Sequence, residues 1–475
     1  MSLEREQQLE AENTALKSQL AQLLERVAQL EAQLALNSRN SSKPPSSDAF
    51  VRPPKKRSLR KASGKKPGAQ PGHEGHTLSW NDQPDQIVDH LPEQCCECQA
   101  NLAEVAVTSW QSHQVLDLPQ DLKLTTIQHR LGLKKCPHCH EVNQTPWPEE
   151  ATHYVQYGPQ LRALAVYLCQ VQLLPYERTC EVIGELFNLK LSQGSLTHMI
   201  EECYDHLEEP EKIIRAGLIA AEVAHNDETG LNVQGQRRWL HVMSCSYLTF
   251  YAYHLKRGQA ATDDIGVLPL FKGTSVHDSW SPYWGYKQCQ HALCNAHILR
   301  ELTFVSEQLG QGWANRLIEH LLSLKVAVAQ GQNEGLRSLS VVQLNKELES
   351  YRNLMAEGLA ANPPPSEGWP KNKRGRPRKT KARNLVERLQ EHKREVLAFG
   401  YDFKVPFDNN QAERDLRMIK VQQKVSGGFR TELGASWFCR IRSYISTLRK
   451  QGQSAYYALK LAFKAQPLLP NLPPV

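Results

Sequence analysis

No apolar run in the sequence comes near the roughly 18 residues that a membrane-spanning helix needs, so an integral membrane protein is not expected. The first ten residues, MSLEREQQLE, are charged throughout and lack the apolar core of a secretory signal. Twelve cysteines in 475 residues are too sparse for a disulfide scaffold. They read as reduced thiols, or as metal ligands where they are paired. These absences lead us to expect a cytoplasmic protein. Hydrophobic residues make up 40% of the chain, enough for a real core, and the length suits two to five domains of roughly 100–200 residues each.

The net charge of +7 is unevenly placed. Residues 43–66 carry nine Lys/Arg and one acid, Asp48, and residues 371–383 carry eight Lys/Arg and no acid. Outside these two tracts 40 bases face 49 acids, so the body is acidic. Basic tracts of this kind are solvated linkers or nucleic-acid arms.

Residues 1–36 hold a heptad repeat. Leu9, Leu16, Leu23 and Leu30 form one series, and Asn13, Leu20, Val27 and Leu34 the other. Leucine at d with Leu, Val and a single Asn at a predicts a parallel dimeric coiled coil. One amphipathic helix packed on its own body is the plainer reading. Residues 37–75 are rich in Ser, Pro, Gly and Lys and read as a basic, disordered linker. Residues 76–150 contain Cys95-x-x-Cys98 and Cys136-x-x-Cys139, the spacing with which two thiolates approach one Zn²⁺. A strand-like stretch at 122–128 lies between them, and together they predict a small zinc-binding module with a structural four-cysteine site. In residues 151–215, LPYERTCEVIGELFNLKLSQGSLTHMI reads as helix, turn, helix, with Ser192 to Ser195 capping the second. That pattern fits a helix-turn-helix and equally an ordinary helical hairpin.

Beyond residue 216 the pattern becomes mixed. Strands are expected at 218–227, 238–244, 248–255, 274–278 and 288–294, with turns at Gly230 and Gly235 and a helix at 260–268. A long helical stretch then runs to about 360, giving an α/β domain over 216–450 with a helical insertion at about 306–394. Residues 451–475 read as a C-terminal tail, Pro-rich and frayed after about residue 465. Asp227 in HNDETG and Asp278 in VHDSWS sit at expected strand ends, and Glu413 in DNNQAERDLRMIK opens a later helix. Carboxylates at neighbouring strand ends can converge on a metal, and three hard oxygen ligands suit Mg²⁺ or Mn²⁺ better than zinc. Each residue taken singly is more simply a turn, a cap or a solvated charge.

These pieces, in this order, resemble the DDE transposases of the insertion sequence 66 family. The Leu heptads, NSRNSSKPPSSD, GKKPGAQPGHEGHTL, the paired knuckles and QVLDLP are similar to its N-terminal half. HNDETG, VHDSW, CNAH and DNNQAERDLRMIKVQQKVSGGFRT are similar to its catalytic half. The fold class expected is thus multidomain: a coiled coil, a zinc-binding module, a helix-turn-helix-like region and a ribonuclease-H-like catalytic domain with a large helical insertion. The resemblance implies Asp227 at the end of the first strand, Asp278 after the fourth and Glu413 on a helix past the insertion. It implies metal-dependent cleavage at element ends and transfer of the 3′-OH ends into target DNA. Cys294 and His297 are expected to support the active site rather than bind zinc with Cys289 and His291.

Arg414, Arg417, Lys420, Lys424 and Arg430 are candidate phosphate contacts, against ordinary surface charge as the alternative. Close backbone approach is expected at Gly427-Gly428. Arg374 and Arg376 lie in a segment that resembles an AT-hook core, though a basic linker explains it as well. The implied partners are DNA (terminal inverted repeats and target), a second copy through the coiled coil, and accessory proteins of the same element. The implied location is the bacterial nucleoid. A non-catalytic DNA-binding derivative is the alternative, and a resolvase-like nuclease a third reading.

Overall fold

A computed structural model describes residues 3–34, 37, 40, 78–119, 122–148, 151, 153–364 and 379–472. Arg374, Arg376 and the linker read over 37–75, residues 37 and 40 aside, lie outside the described residues. The chain divides into two compact units, residues 54–128, and residues 1–53 together with 129–475. In the unit of residues 54–128, Asn81 and Gln114 exchange hydrogen bonds of 2.8 and 2.6 Å. An isolated bridge pairs Gln94 with Asn101 around a tight turn. Residues 122–128 form no ladder. Alternating polarity favours an extended chain, but a strand also needs a partner to pair with.

The other unit begins with helix α1 (Leu3–Leu34), on which the heptad leucines Leu9, Leu16, Leu20, Leu23 and Leu30 are all exposed. A short antiparallel hairpin follows, β1 (Lys134–Lys135) and β2 (Val142–Asn143). Then come α2 (Pro159–Val166), α3 (Tyr176–Phe187), α4 (Gln193–His206) and α5 (Glu208–Ile219). Asn188 ends α3 in the left-handed conformation, and the Ser192 hydroxyl accepts the Ser195 N–H to cap α4. The expected helix-turn-helix outline is therefore present. Its second helix buries Leu196, Met199, Ile200 and Cys203 against α2 and the C-terminal helices, and exposes Glu201 and Asp205. Those carboxylates would repel DNA phosphates, which favours the helical hairpin.

The sheet is built from β3 (Val223–Val233), β4 (Gln236–Ser244) and β5 (Thr249–His254), followed by α6 (Gln259–Ile265), β6 (Thr274–His277) and β7 (Gln290–Leu293). Its order is β5-β4-β3-β6-β7, antiparallel among the first three and parallel for β3–β6 and β6–β7. Gln234 and Gly235 both have positive φ, 53° and 75°, the two-residue turn that matches strand twist. The period of two is plain in β4. Leu240 and Val242 face one core, and Met243 faces the other.

Both bounds of the strand expected at 218–227 are corrected by the structure. Residues 218 and 219 still belong to α5. The strand holding Asp227 does not end there but runs to Val233, because residues past Asp227 pair with β4, and Gly230 lies opposite Trp239 inside the ladder.

Beyond the sheet, α7 (Asn295–Leu309), α8 (Gly312–Asn333), α9 (Val341–Ala361), α10 (Lys381–Glu391), α11 (Lys393–Val396) and α12 (Ala398–Tyr401) share a core of their own around Trp313, Leu317, Tyr351 and Leu385. Helices α13 (Asn410–Ser426) and α14 (Glu432–Lys450) cover one face of the sheet through Ala412, Leu416, Ile419 and Phe438. Finally α15 (Ala455–Ala462) joins the core of α2–α4. As far as the described residues run, to 472, the C-terminal segment is docked rather than frayed. Gln451 and Asn471 hold each other through two bonds of 3.0 Å, and Leu468 packs on the same core.

Candidate active site

The parallel ladder between β3 and β6 ends at the His225–Val276 pair. Two residues further along each chain stand Asp227, still within β3, and Asp278, just past the end of β6, so the register sets the two at matching positions beyond the parallel ladder. Asp227 Oδ1 accepts the Glu228 N–H at 2.8 Å, and Asp278 Oδ1 accepts the Trp280 N–H at 2.9 Å. Between Asp278 and Trp280, Ser279 has φ of 76°. A left-handed serine is strained, and the bend turns the chain sharply away from the sheet.

The third carboxylate arrives on α13. Asn409, at its N-cap, is 1% exposed and joins three elements. Its side-chain amide donates to Asn226 O at 2.9 Å, which aims the amide oxygen at His225 Nδ1, 2.8 Å away. Its backbone N–H reaches Cys294 Sγ at 3.1 Å, at the start of α7. Further along α13, Lys420 and Gln423 donate to Gly230 O at 3.3 and 3.1 Å. Glu413, one turn past Asn409, is thereby fixed in place. Its Oε1 lies 3.3 Å from Arg300 Nη2 and 3.6 Å from His297 Nδ1.

The electrostatics join the three acids. Burial pushes the Asp227 carboxyl well above the usual range, and the charges of Glu228, Asp278 and Glu413 add to the effect. Burial lowers His297, as does Arg300, while Glu413 and Asp278 oppose the drop. A buried carboxyl that feels the charge of two further carboxylates is the kind of hard oxygen donor that suits a small divalent cation. Among the described residues, however, the group whose donor atoms all lie within 4.8 Å of one another is Cys294, His297 and Glu413. Cys289 and His291 stand apart from it: Cys289 Sγ bonds Tyr286 O, and His291 Nδ1 pairs with His277 at 3.0 Å.

The proposed phosphate contacts Arg414, Arg417, Lys420, Lys424 and Arg430 are all exposed. Residues 413, 417, 420 and 424 share one face of α13 by helical spacing. At its far end the backbone approach expected at the glycines is present. A Cβ on Gly428 would lie 2.5 Å from Asn232 O, and Phe429 bridges to Val233.

Each cysteine pair, taken by itself, closes a tight turn, with Gln99 N–H donating to Cys95 O and His140 N–H to Cys136 O, both at 3.0 Å. Cys95 accepts hydrogen bonds from the backbone of Cys98 and Glu97, and Cys136 from that of Cys139 and His138; these bonds lower both thiols. Gln99 and His140, the residues after each second cysteine, have φ of 61° and 59°.

Sequence reasoning missed Glu228, whose side chain is 2% exposed and ion-paired with Arg257 at 2.6 Å. Tyr283 OH donates to its other oxygen at 2.6 Å. A second acid directly after Asp227 was the available signal. For Arg257, Tyr283, Arg300 and Asn409 the contacts span 29 residues or more, and no local pattern marks them.

A mixed sheet whose parallel ladder brings two aspartates to matching positions, with a glutamate carried on a later helix, defines an α/β protein with an acidic site. The chain belongs to the Transposase IS66 family, whose model matches residues 154–437 and so spans the whole sheet and all three carboxylates. A family of unknown function (DUF6444) matches residues 2–79. No curated protein matches the chain. Membership supports a transposase function and implies DNA binding and divalent metal use. The sheet order and directions are compatible with a ribonuclease-H-like domain, and among the described residues no helix is long and apolar enough to cross a membrane.

Proposed function

We propose that this chain is an active DDE transposase with a ribonuclease-H-like catalytic domain, cutting DNA at the ends of its element and joining the 3′-OH ends to target DNA. The observation that carries the reading is the β3–β6 register, which sets Asp227 and Asp278 at matching positions, with Glu413 carried on α13, whose N-cap Asn409 is bonded to Asn226 beside Asp227. Asp227, Asp278 and Glu413 would hold the Mg²⁺ or Mn²⁺ ions. When bound, such ions supply Lewis-acid stabilisation of the attacking and leaving oxygens of an in-line displacement. Asn409 sets the position of Glu413, and the bend at Ser279 orients the Asp278 carboxylate. The exposed cations of α13 bind flanking phosphates.

The remaining assignments belong to the same reading. Cys95, Cys98, Cys136 and Cys139 are zinc ligands, on the strength of their spacing and of each knuckle's own geometry. Helix α1 pairs with a second copy, supported by its exposed heptad leucines. Arg374 and Arg376 touch DNA. The protein works on the bacterial nucleoid, with accessory proteins of its element.

The test is strand joining in vitro on the DNA ends that flank the gene, with Mg²⁺ or Mn²⁺. Wild type should yield joined product. Glu413→Gln and Asp227→Asn should bind the ends with unchanged affinity and yield none. One observation favours the non-catalytic alternative: Glu413 is grouped with Cys294 and His297 and ion-paired to Arg300. Shifted but uncut DNA from wild type, even with the neighbouring open reading frames supplied, would decide for that alternative.

A further inference from the structure

Beside the acidic edge lies a second, cationic feature that none of the roles above uses. Arg257 Nε and Nη2 both bind Glu228 Oε1, at 2.9 and 2.6 Å. Its guanidinium carbon sits 4.2 Å from the Trp280 ring centre and 4.9 Å from that of Trp239. Arg237 lies over the same Trp239 ring at 4.7 Å. Arginine and tryptophan thus alternate through four side chains, from Arg237 to Trp280, and Trp280 is itself bonded to Asp278 through its backbone.

The stack leaves charge available. The Arg257 side chain is 41% exposed although its partner Glu228 is 2% exposed. A guanidinium has five N–H donors, and Arg257 uses only its Nε and Nη2 edge on Glu228. Arg237 is exposed and, among the described residues, has no carboxylate partner. It also stands near a second cation. Burial lowers Lys420, the Arg237 charge lowers it further, and only Asp227 opposes this. Lys420 Nζ donates to Gly230 O at 3.3 Å, so the two cations meet the backbone of β3 at the same residue. The backbone makes room for this. Gly230 has no side chain where Arg237 crosses β3, and a Cβ there would meet Arg237 Nε at 3.1 Å. Indole rings hold guanidinium planes at low entropic cost and without neutralising them.

We propose that Arg237 and Arg257 form a phosphate-binding lip, ordered by Trp239 and Trp280, which grips non-scissile phosphates of the DNA strand entering the acidic edge. Its location beside the catalytic centre rests on the transposase reading, but its binding of DNA is measured without any chemistry. The ligand class is the DNA backbone, and contact with it is independent of base sequence.

The experiment uses the full-length protein and a fluorescein-labelled duplex of about 40 base pairs with unrelated sequence. Affinity is titrated over a range of KCl concentrations. Each phosphate contact adds about 0.9 to the slope of log K against log salt. Arg237→Gln should reduce that slope by about 1 and weaken binding roughly tenfold at about 0.1 M salt. Arg257→Gln should do the same. Because it strands Glu228, Arg257→Lys is made as well: it keeps the charge and should retain the slope while losing affinity. Lys346→Gln, an exposed cation on α9, should change nothing.

In the joining assay Arg237→Gln should raise KM for DNA and leave kcat unchanged. Slopes equal to wild type in both glutamine variants would overturn the proposal, as would an equal loss in Lys346→Gln. Loss of joining in Asp227→Asn, with unaltered slopes in the arginine variants, would reject the lip and keep the transposase reading. Reduced slopes in the arginine variants, with joining intact in Asp227→Asn, would keep the lip and reject that reading.

Discussion

His241 shows how a residue can be set by its surroundings. It lies within β4, 6% exposed, with Nε2 placed 3.4 Å from Lys256 O. Burial pushes its pKa down to about 4, and the nearby charges of His254 and Arg257 push the same way. An unfolded histidine titrates near 6.5. Between these values the unfolded chain binds the extra proton. Stability is therefore complete above pH 6.5 and is lost as pH falls toward 4. At pH 5 the loss should be roughly 2 kcal/mol, from about 1.4 kcal/mol per pH unit. Urea unfolding at pH 7.5 and pH 5 checks this, with His241→Gln as the comparison. In both proteins Asp227, with its raised pKa, works in the opposite sense, and other buried histidines, His277 among them, work in the same sense, so the difference between the proteins isolates His241. An equal pH dependence in the two would remove His241 as the cause.

Among the elements, β5 and α14 carry the clearest physical lesson. β5 is an edge strand, and an unpaired edge invites aggregation. Here α14 covers it with hydroxyls. Ser443 Oγ accepts the Tyr251 N–H at 2.8 Å, and Thr447 Oγ1 accepts the Thr249 N–H at 3.0 Å. Both side chains are fully buried. Ser443→Ala should leave one buried N–H unpaired and cost about 1–3 kcal/mol. The chemical denaturation midpoint reads this directly, and a change below a few tenths of a kcal/mol would mean that another acceptor replaces Ser443. The helical spacing of Ser443 and Thr447 is plain in the sequence, but their partner lies about 190 residues earlier.

For the whole molecule, association is the property to test. Helix α1 leaves Leu9, Leu16, Leu23 and Leu30 exposed, at 52%, 64%, 63% and 44%. A helix of 32 residues with such a stripe has little to gain in water on its own. Deleting residues 1–36 should convert a dimer or larger species into a monomer by light scattering, while the far-UV spectrum loses only the helix removed. A monomeric full-length protein would end the coiled-coil assignment. Glu413 brings out the same difference in scale. Its place on a helix was legible from DNNQAERDLRMIK, but its neighbours Cys294, His297 and Arg300 come from 113 to 119 residues away.

The sequence by itself determined what is local and periodic: the heptad and Cys-x-x-Cys spacings, the hairpin of α3 and α4, the strand–helix alternation and the helix that carries Glu413. Period and spacing express backbone geometry, which acts over a few residues. Only the tertiary structure decided where β3 ends, because pairing with β4 carried it past Asp227 to Val233. Only the tertiary structure buried Glu228 under Arg257, set Asn409 among β3, α7 and α13, and stacked Arg237 and Arg257 on shared indoles. Those contacts come from packing between distant segments, and a residue's own neighbours in sequence leave no trace of them.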